Sequence, residues 1–258
     1  MESKQDPREI QDLLRLAKQA SKLAGEIIMP LFEESISFTL KKDQTPVTIA
    51  DQKAEEAISE FLQRETPNYS ILGEELGEVA RSNSHKWIID PIDGTQSFVQ
   101  NVPLFGTLIS LEIDEYPVLG IIACHALGET VSAALGFGTS LNEKPVSVTN
   151  KYNLKDAITL TTDPQSLYNR TPKGFTSILK EVKQFRSWGD CYGYLAVACG
   201  RADIMIDDII NRWDISAPSI IITEAGGKFS TWNQEHLIGT DTIATNGHLH
   251  EQVCSILN

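Results

Sequence analysis

The ten residues from Lys86 to Thr95, Lys-Trp-Ile-Ile-Asp-Pro-Ile-Asp-Gly-Thr, constrain this chain more than any others. Lys86-Trp87-Ile88-Ile89-Asp90 reads as a short buried strand with a carboxylate at its C-terminal edge. Pro91 is expected to force the chain out of that strand. Asp93 follows three residues after Asp90, so the two carboxylates converge across one turn. Gly94 permits a tight bend, and Thr95 then opens a helix whose first N–H groups face the same point. A bare D-x-x-D is usually only a turn. Between an apolar strand and Gly-Thr, two hard oxygen donors beside a helix start describe a site for Mg²⁺ and a phosphate together.

The remaining chain supplies a mixed α/β frame. Apolar residues fall at helical spacing from Arg8 to Phe32 and from Asp51 to Arg64, with Asp51 as the expected N-cap. Strands are expected at Tyr69–Leu72, Phe105–Ile113, Pro117–His125 and Glu129–Ala134, with a turn at Asp114-Glu115. Gly136-Phe137-Gly138 reads as a hairpin turn. In the second half, strands are expected at 156–161, 184–187, 202–207 and 242–244. Helices are expected at 174–182, 191–199, 214–225 and 248–257, the third capped by Asp214 and ended by Gly226-Gly227. The pattern predicts a layered α/β sandwich. Its halves are 1–150, carrying most of the candidate ligands, and 151–258, joined as one compact unit.

Charge and cysteine usage exclude whole classes of function. Thirty-five acidic against 22 basic residues leave a net charge of −13, which argues against binding nucleic acid or an anionic membrane. No apolar run approaches the ~20 residues that cross a bilayer. Cys124, Cys191, Cys199 and Cys254 contain no C-x-x-C pair, as expected of free thiols in a reducing compartment. A soluble, cytoplasmic protein is predicted.

Three further carboxylates are unremarkable singly. Gly73-Glu74-Glu75 follows the strand at 69–72, and Asp51 and Asp214 each start a helix. Glu74 and Asp214, together with Asp90 and Asp93, form an all-oxygen set with no histidine motif, which suits Mg²⁺ better than zinc. Gly189-Asp190-Cys191-Tyr192-Gly193 also fits a cysteine version of the nucleophile elbow, with His236, His248 and His250 downstream, but no oxyanion glycine run precedes it. A Cys-His hydrolase is therefore the remote alternative. His248 and His250 are otherwise expected to be solvated.

D-P-I-D-G-T at 90–95, G-E-E at 73–75, P-V-T-x-A-D at 46–51 and W-D at 213–214 ahead of E-A-G-G at 224–227 resemble the inositol monophosphatase family over nearly the whole chain. The resemblance implies an αβαβα sandwich of the fructose-1,6-bisphosphatase type. It also implies a lithium-sensitive phosphomonoesterase, usually a homodimer, acting on a small phosphate ester. About two or three Mg²⁺ would be held by Glu74, Asp90, the carbonyl of Ile92, Asp93 and Asp214. Asp93, Gly94 and Thr95 would hold the phosphate. Glu74 and Thr95, with Asp51 behind Thr95, would orient the attacking water. Trp188-Gly189-Asp190-Cys191-Tyr192-Gly193-Tyr194, Gly200-Arg201-Ala202-Asp203 and Asn211-x-Trp213-Asp214 resemble the histidinol-phosphate phosphatase branch, which acts in histidine biosynthesis. Inositol 1-phosphate or a broad set of sugar and polyol phosphates is the alternative substrate class. By the same resemblance Asp190, Asp207 and Asn211 would select the substrate. Pro218 departs from the family pattern and is expected in the first turn of its helix.

Overall fold

A computed structural model describes residues 7–34, 38–40, 46–81, 84–234 and 239–258. In chain order the elements are α1 (Pro7–Glu33), β1 (Phe38–Leu40), β2 (Pro46–Thr48), α2 (Ile49–Glu65), β3 (Ser70–Gly73), β4 (Gly77–Val79), β5 (His85–Asp93), α3 (Thr95–Val99), β6 (Gly106–Ile113), β7 (Tyr116–Cys124), β8 (Glu129–Ala134), β9 (Gly138–Leu141) and β10 (Lys144–Val146). Then follow β11 (Ile158–Leu160), α4 (Pro164–Arg170), α5 (Pro172–Glu181), β12 (Gln184–Arg186), α6 (Asp190–Ala198), β13 (Ile204–Asp207), α7 (Arg212–Glu224), β14 (Lys228–Ser230), β15 (Thr242–Thr245) and α8 (His250–Leu257).

Eight strands form one sheet in the order β10-β9-β8-β7-β6-β5-β3-β4, and five form a second in the order β12-β11-β13-β15-β14. Residue alternation assigns the faces of the large sheet. Trp87, Ile89, Ile109, Leu111, Leu119 and Ile121 point to one side and bury against Ala17, Ala24 and Ile28 of α1 and Ala54, Ile58 and Leu62 of α2. Leu108, Ile122, Cys124 and Val131 point to the other side and meet Leu195 of α6 and Ile215, Ile221 and Ile222 of α7. Met205, Phe229 and Ala244 of the second sheet close that same core, while Ile204, Ile206 and Ile243 face Val253 and Leu257 of α8 and Ile178 of α5. The layers are therefore α1/α2, large sheet, α6/α7, small sheet and α5/α8, the αβαβα sandwich expected above.

Local corrections have simple causes. Strand β5 does not stop at Pro91. It continues to Asp93 with a register shift, Asp90 opposite Leu108 and Asp93 opposite Gly106, and the Pro91 carbonyl accepts the Thr107 hydroxyl at 2.8 Å. Proline lacks a donor but keeps its acceptor, so it is tolerated where the pairing is already irregular. Thr48, not Asp51, caps α2. Its hydroxyl accepts from Ala50 and Asp51 N–H, and Asp51 reaches back to Thr48 N–H at 2.8 Å, completing a capping box. Likewise α7 starts at Arg212 behind Asn211, and Asp214 is its third residue, accepting the Asn211 N–H at 2.6 Å. Pro218 consequently lies inside the helix, past its first turn, with no N–H to give the Asp214 carbonyl.

The turn at Asp114-Glu115 is as expected, both residues having positive φ (51° and 69°). The 136–138 turn is also formed; Glu224, at the end of α7, accepts the N–H groups of Gly136 and Gly138. All four cysteines are free. No helix among the described residues is long and apolar enough to cross a membrane.

Helix α7 lies tightly on β7. A Cβ at Gly120 would come within 2.7 Å of the Ala217 carbonyl and 2.8 Å of Ile220 Cγ2. Gly120→Ala is expected to cost about 1–3 kcal/mol through overpacking and lower Tm by several degrees. Thermal unfolding checks this, and an unchanged Tm would refute the close approach.

Candidate active site

Strands β3 and β5 are parallel neighbours, and β3 ends with Gly73 opposite Ile89, just before Asp90. The next residue, Glu74, donates its N–H to the Ile89 carbonyl at 3.2 Å, which sets Glu74 beside Asp90. The first turn of α7 brings Asp214 to the same point. Ligand oxygens of Asp90, Asp93 and Asp214 lie within 4.8 Å of one another. The first turns of α2, α3 and α6 add Asp51, Thr95 and Asp190 around them.

Burial is the main influence on these carboxylates. It pushes Asp90 well above the usual carboxylate range, with Glu74, Asp93 and Asp214 adding to the shift. Asp93 is raised in the same way, by burial first and then by Asp190, Asp214 and Glu74. Asp214 and Asp190 are each raised to about 7. One buried oxygen, Asp90 Oδ1, has no hydrogen-bond partner among the described residues. An orphaned carboxylate oxygen inside a ring of other carboxylates is what a hard divalent cation satisfies, so these residues fit Mg²⁺ by charge and donor type.

Thr95 Oγ1 lies 2.9 Å from the Ile92 carbonyl and 3.4 Å from Asp51 Oδ1. The other oxygen of Asp51 takes the Thr48 hydroxyl at 2.6 Å, so Asp51 is buried and firmly aimed. Gly94 has φ +82°, and a Cβ there would meet the Leu104 carbonyl at 2.9 Å and Asp190 Oδ2 at 3.1 Å. The turn thus needs glycine both for conformation and for room, and Asp190 packs directly against it.

The three residues expected to select substrate are placed differently. Asp190 flanks the carboxylate cluster. Asp207 is buried, and both its oxygens are already bonded, to the Tyr194 hydroxyl at 2.6 Å and the Thr162 N–H at 3.0 Å. Asn211 is exposed at the start of α7, and its main chain holds Asp214. Thr162 was not legible as a site residue. Its hydroxyl accepts the Asp190 N–H at 2.8 Å, tying Asp190 to Asp207 through one residue. Nothing in the sequence around Thr162 marks this role, because the contact spans 28 residues.

Cys191 is fully buried, its thiol pushed well up by that burial, and Sγ contacts the Asp93 carbonyl at 3.9 Å. A thiol held protonated is not a nucleophile. His250 is buried rather than solvated, with Nε2 on Ser230 and Nδ1 on Thr245. His248 is exposed and stacks on Tyr152, and His236 lies outside the described residues. Among the described residues no histidine hydrogen-bonds Cys191, so the cysteine-hydrolase alternative finds no base there.

Residues 9–258 match the inositol monophosphatase family. A histidinol-phosphatase of Chlorobaculum parvum is 38% identical over 216 residues, covering 83% of this chain and 83% of that protein. An inositol-1-monophosphatase of Synechocystis is 32% identical over 261 residues, covering 97% of this chain and 90% of that protein. Among solved structures, the extragenic suppressor protein suhB of Bartonella henselae superposes with a TM-score of 0.89 at 26% identity, covering 96% of this chain and 98% of that one.

The raised carboxylates predict a pH signature in metal-free protein. An acid whose folded pKa exceeds its unfolded value stabilises the fold below the unfolded pKa, and that stability is lost as pH rises toward the folded pKa. For Asp214 the window runs from about 4 to about 7. Relative to Asp214→Asn, the wild type should lose stability over this range by at most about 1.4 kcal/mol per pH unit, with the difference flat above. Denaturant unfolding of both proteins in chelator checks this. A pH-independent difference would be contrary to it.

Proposed function

The chain belongs to the inositol monophosphatase family, and from that premise we propose that it is a Mg²⁺-dependent phosphomonoesterase whose substrate is L-histidinol phosphate. The convergence of Asp90, Asp93 and Asp214 at the end of the parallel pair β3 and β5 carries the phosphatase reading. Glu74, Asp90, the Ile92 carbonyl, Asp93 and Asp214 are the residues proposed to hold the cations. When bound there, divalent cations supply the positive charge that offsets the phosphoryl oxygens and makes an attacking water more acidic.

The chain's own groups do the positioning. Asp93, Gly94 and Thr95 form the turn proposed to seat the phosphate. Thr95 has one proton and two acceptors facing it, Ile92 O and Asp51 Oδ1. With the Thr95 hydroxyl donating its hydrogen bond to Asp51, the Thr95 lone pairs are left to take a hydrogen bond from water, and Glu74 is the second acceptor proposed to aim it. Direct attack of an oriented water needs no covalent residue, since phosphoryl transfer depends mainly on positioning and charge.

The choice of histidinol phosphate is supported by Asp190. Its carboxylate lies against Gly94 beyond the proposed phosphate seat, where it meets the cationic amine of an amino-alcohol phosphate. The Chlorobaculum relative, named for that activity, is the more similar of the two enzymes compared above. Inositol phosphate offers only hydroxyls beyond its phosphate.

Phosphate release from L-histidinol phosphate and D-myo-inositol 1-phosphate, each at equal concentration with Mg²⁺, tests the reading. Histidinol phosphate should show the higher kcat/KM, and a preference for inositol phosphate would overturn the substrate assignment. Asp190→Asn should lower kcat/KM for histidinol phosphate by roughly 10- to 150-fold, corresponding to one charge-assisted bond of about 1.5–3 kcal/mol. β-Glycerophosphate, which lacks an amine, should change far less, and an equal loss on both esters would contradict a substrate contact. Thr95→Ala should lower kcat much more than it raises KM. A pure KM effect would make Thr95 a phosphate ligand only.

A further inference from the structure

The turn carrying Glu74 is held by a residue to which the proposed chemistry gives no part. Glu55 lies in α2, one helical turn beyond Asp51, and is completely buried. Its Oε2 accepts the Glu75 N–H at 2.8 Å, and its Oε1 accepts the Leu76 N–H at 2.9 Å. Both bonds go to main chain, so they set the path of the turn itself. Gly73, the residue before Glu74, lies directly beneath this carboxylate, and a Cβ there would overlap Glu55 Oε1. Its φ is not in the left-handed region, so glycine is needed here for space.

We propose that Glu55 is a positioning residue for Glu74, pinning the turn at 74–76 through the N–H groups of Glu75 and Leu76 so that Glu74 stays beside Asp90. This rests on the reading of Glu74, Asp90, Asp93 and Asp214 as cation ligands. Glutamine has the same shape but only one acceptor oxygen, and its NH₂ cannot accept an N–H. Glu55→Gln therefore sets donor against donor at one of the two bonds. Alanine at Gly73 displaces the same carboxylate from the other side.

Asp203 provides a contrasting buried carboxylate. It accepts from the Thr149 hydroxyl at 2.5 Å, Lys151 at 2.8 Å and the Ile158 N–H at 2.7 Å, all on residues with no part in the proposed site. A role confined to stability makes Glu55 behave like Asp203.

The test measures Mn²⁺ binding to full-length, metal-stripped protein by electron paramagnetic resonance of free Mn²⁺, alongside Tm in chelator. Glu55→Gln and Gly73→Ala should each weaken Mn²⁺ binding by roughly 10- to 100-fold, the usual effect of losing a group that orients a ligand. Asp203→Asn should lower Tm but leave Mn²⁺ affinity within about 2-fold of wild type. Wild-type affinity in Glu55→Gln overturns the proposal and leaves the phosphatase reading intact. So does a loss of affinity in Asp203→Asn equal to that in Glu55→Gln. If Glu55→Gln does not fold, Gly73→Ala decides by the same criterion. Wild-type protein that binds no Mn²⁺ overturns the ligand assignment itself. Mn²⁺ binding in the expected pattern without phosphate release from any ester leaves the role of Glu55 standing and removes only the activity.

Discussion

Asp90, Asp93 and Asp214 hold oxygens within 4.8 Å of one another, and their mutual repulsion is the constraint that the surrounding elements must contain. Two unit charges about 5 Å apart at an effective dielectric of ~20 repel by roughly 3 kcal/mol. Side chains on loops would relieve this by swinging apart. Here the carboxylates are carried by three separate stretches of packed chain. Asp90 and Asp93 flank the register shift at the end of β5, Asp214 lies in the first turn of α7, and Glu74 directly follows β3. Separating any of them means disrupting one of the two cores that bury the large sheet. The raised pKa values of Asp90, Asp93, Asp190 and Asp214 come first from burial and then from this repulsion, and a bound cation would offset both.

Helix α7 makes this arrangement depend on both sheets. It is the middle layer, with Ile215, Ile221 and Ile222 buried between the large and small sheets. Its N-terminal end is anchored by Arg212, which pairs with Glu112, a residue almost wholly buried in β6, and by Ser216, whose hydroxyl donates to Glu112 at 2.8 Å. Its C-terminal end receives the hairpin turn at 136–138 on Glu224. Asp214 is thus fixed by contacts at both ends of a 13-residue helix. The opposite wall is set by the small sheet, where Asp207 aligns Tyr194 and Thr162, and Thr162 in turn holds Asp190.

The elements with strong periodicity were legible in the chain. Glu129–Ala134 forms a strand over the residues expected, and α1, β6 and β7 differ from expectation by a residue or so. Short strands such as β4, β9, β10 and β14 were not read, because three or four residues carry too little pattern to distinguish them from loop. Two helix starts, those of α2 and α7, were placed two residues too late. At both α2 and α7 the acid taken for a cap is the third helical residue, reaching back to the residue that precedes the helix. Aspartate serves either position, and only the backbone distinguishes them.

What the sequence by itself determined is the chemical inventory: hard carboxylates beside glycines and helix starts, no metal-binding histidine motif, and motif order that places the chain in its family. These follow from residue types and short spacings, which local backbone geometry translates directly. Only the tertiary structure decided which acids do what. Glu55 and Asp51 lie one turn apart on α2, yet Asp51 faces Thr95 while Glu55 grips the turn behind Glu74. Asp190 and Asp207 looked equivalent as candidates, yet Asp207 has both oxygens bonded within the fold and Asp190 borders the cluster. The reason is distance along the chain. Glu75 lies 20 residues from Glu55, Thr95 44 from Asp51 and Thr162 45 from Asp207, and the layers of the sandwich bring them together.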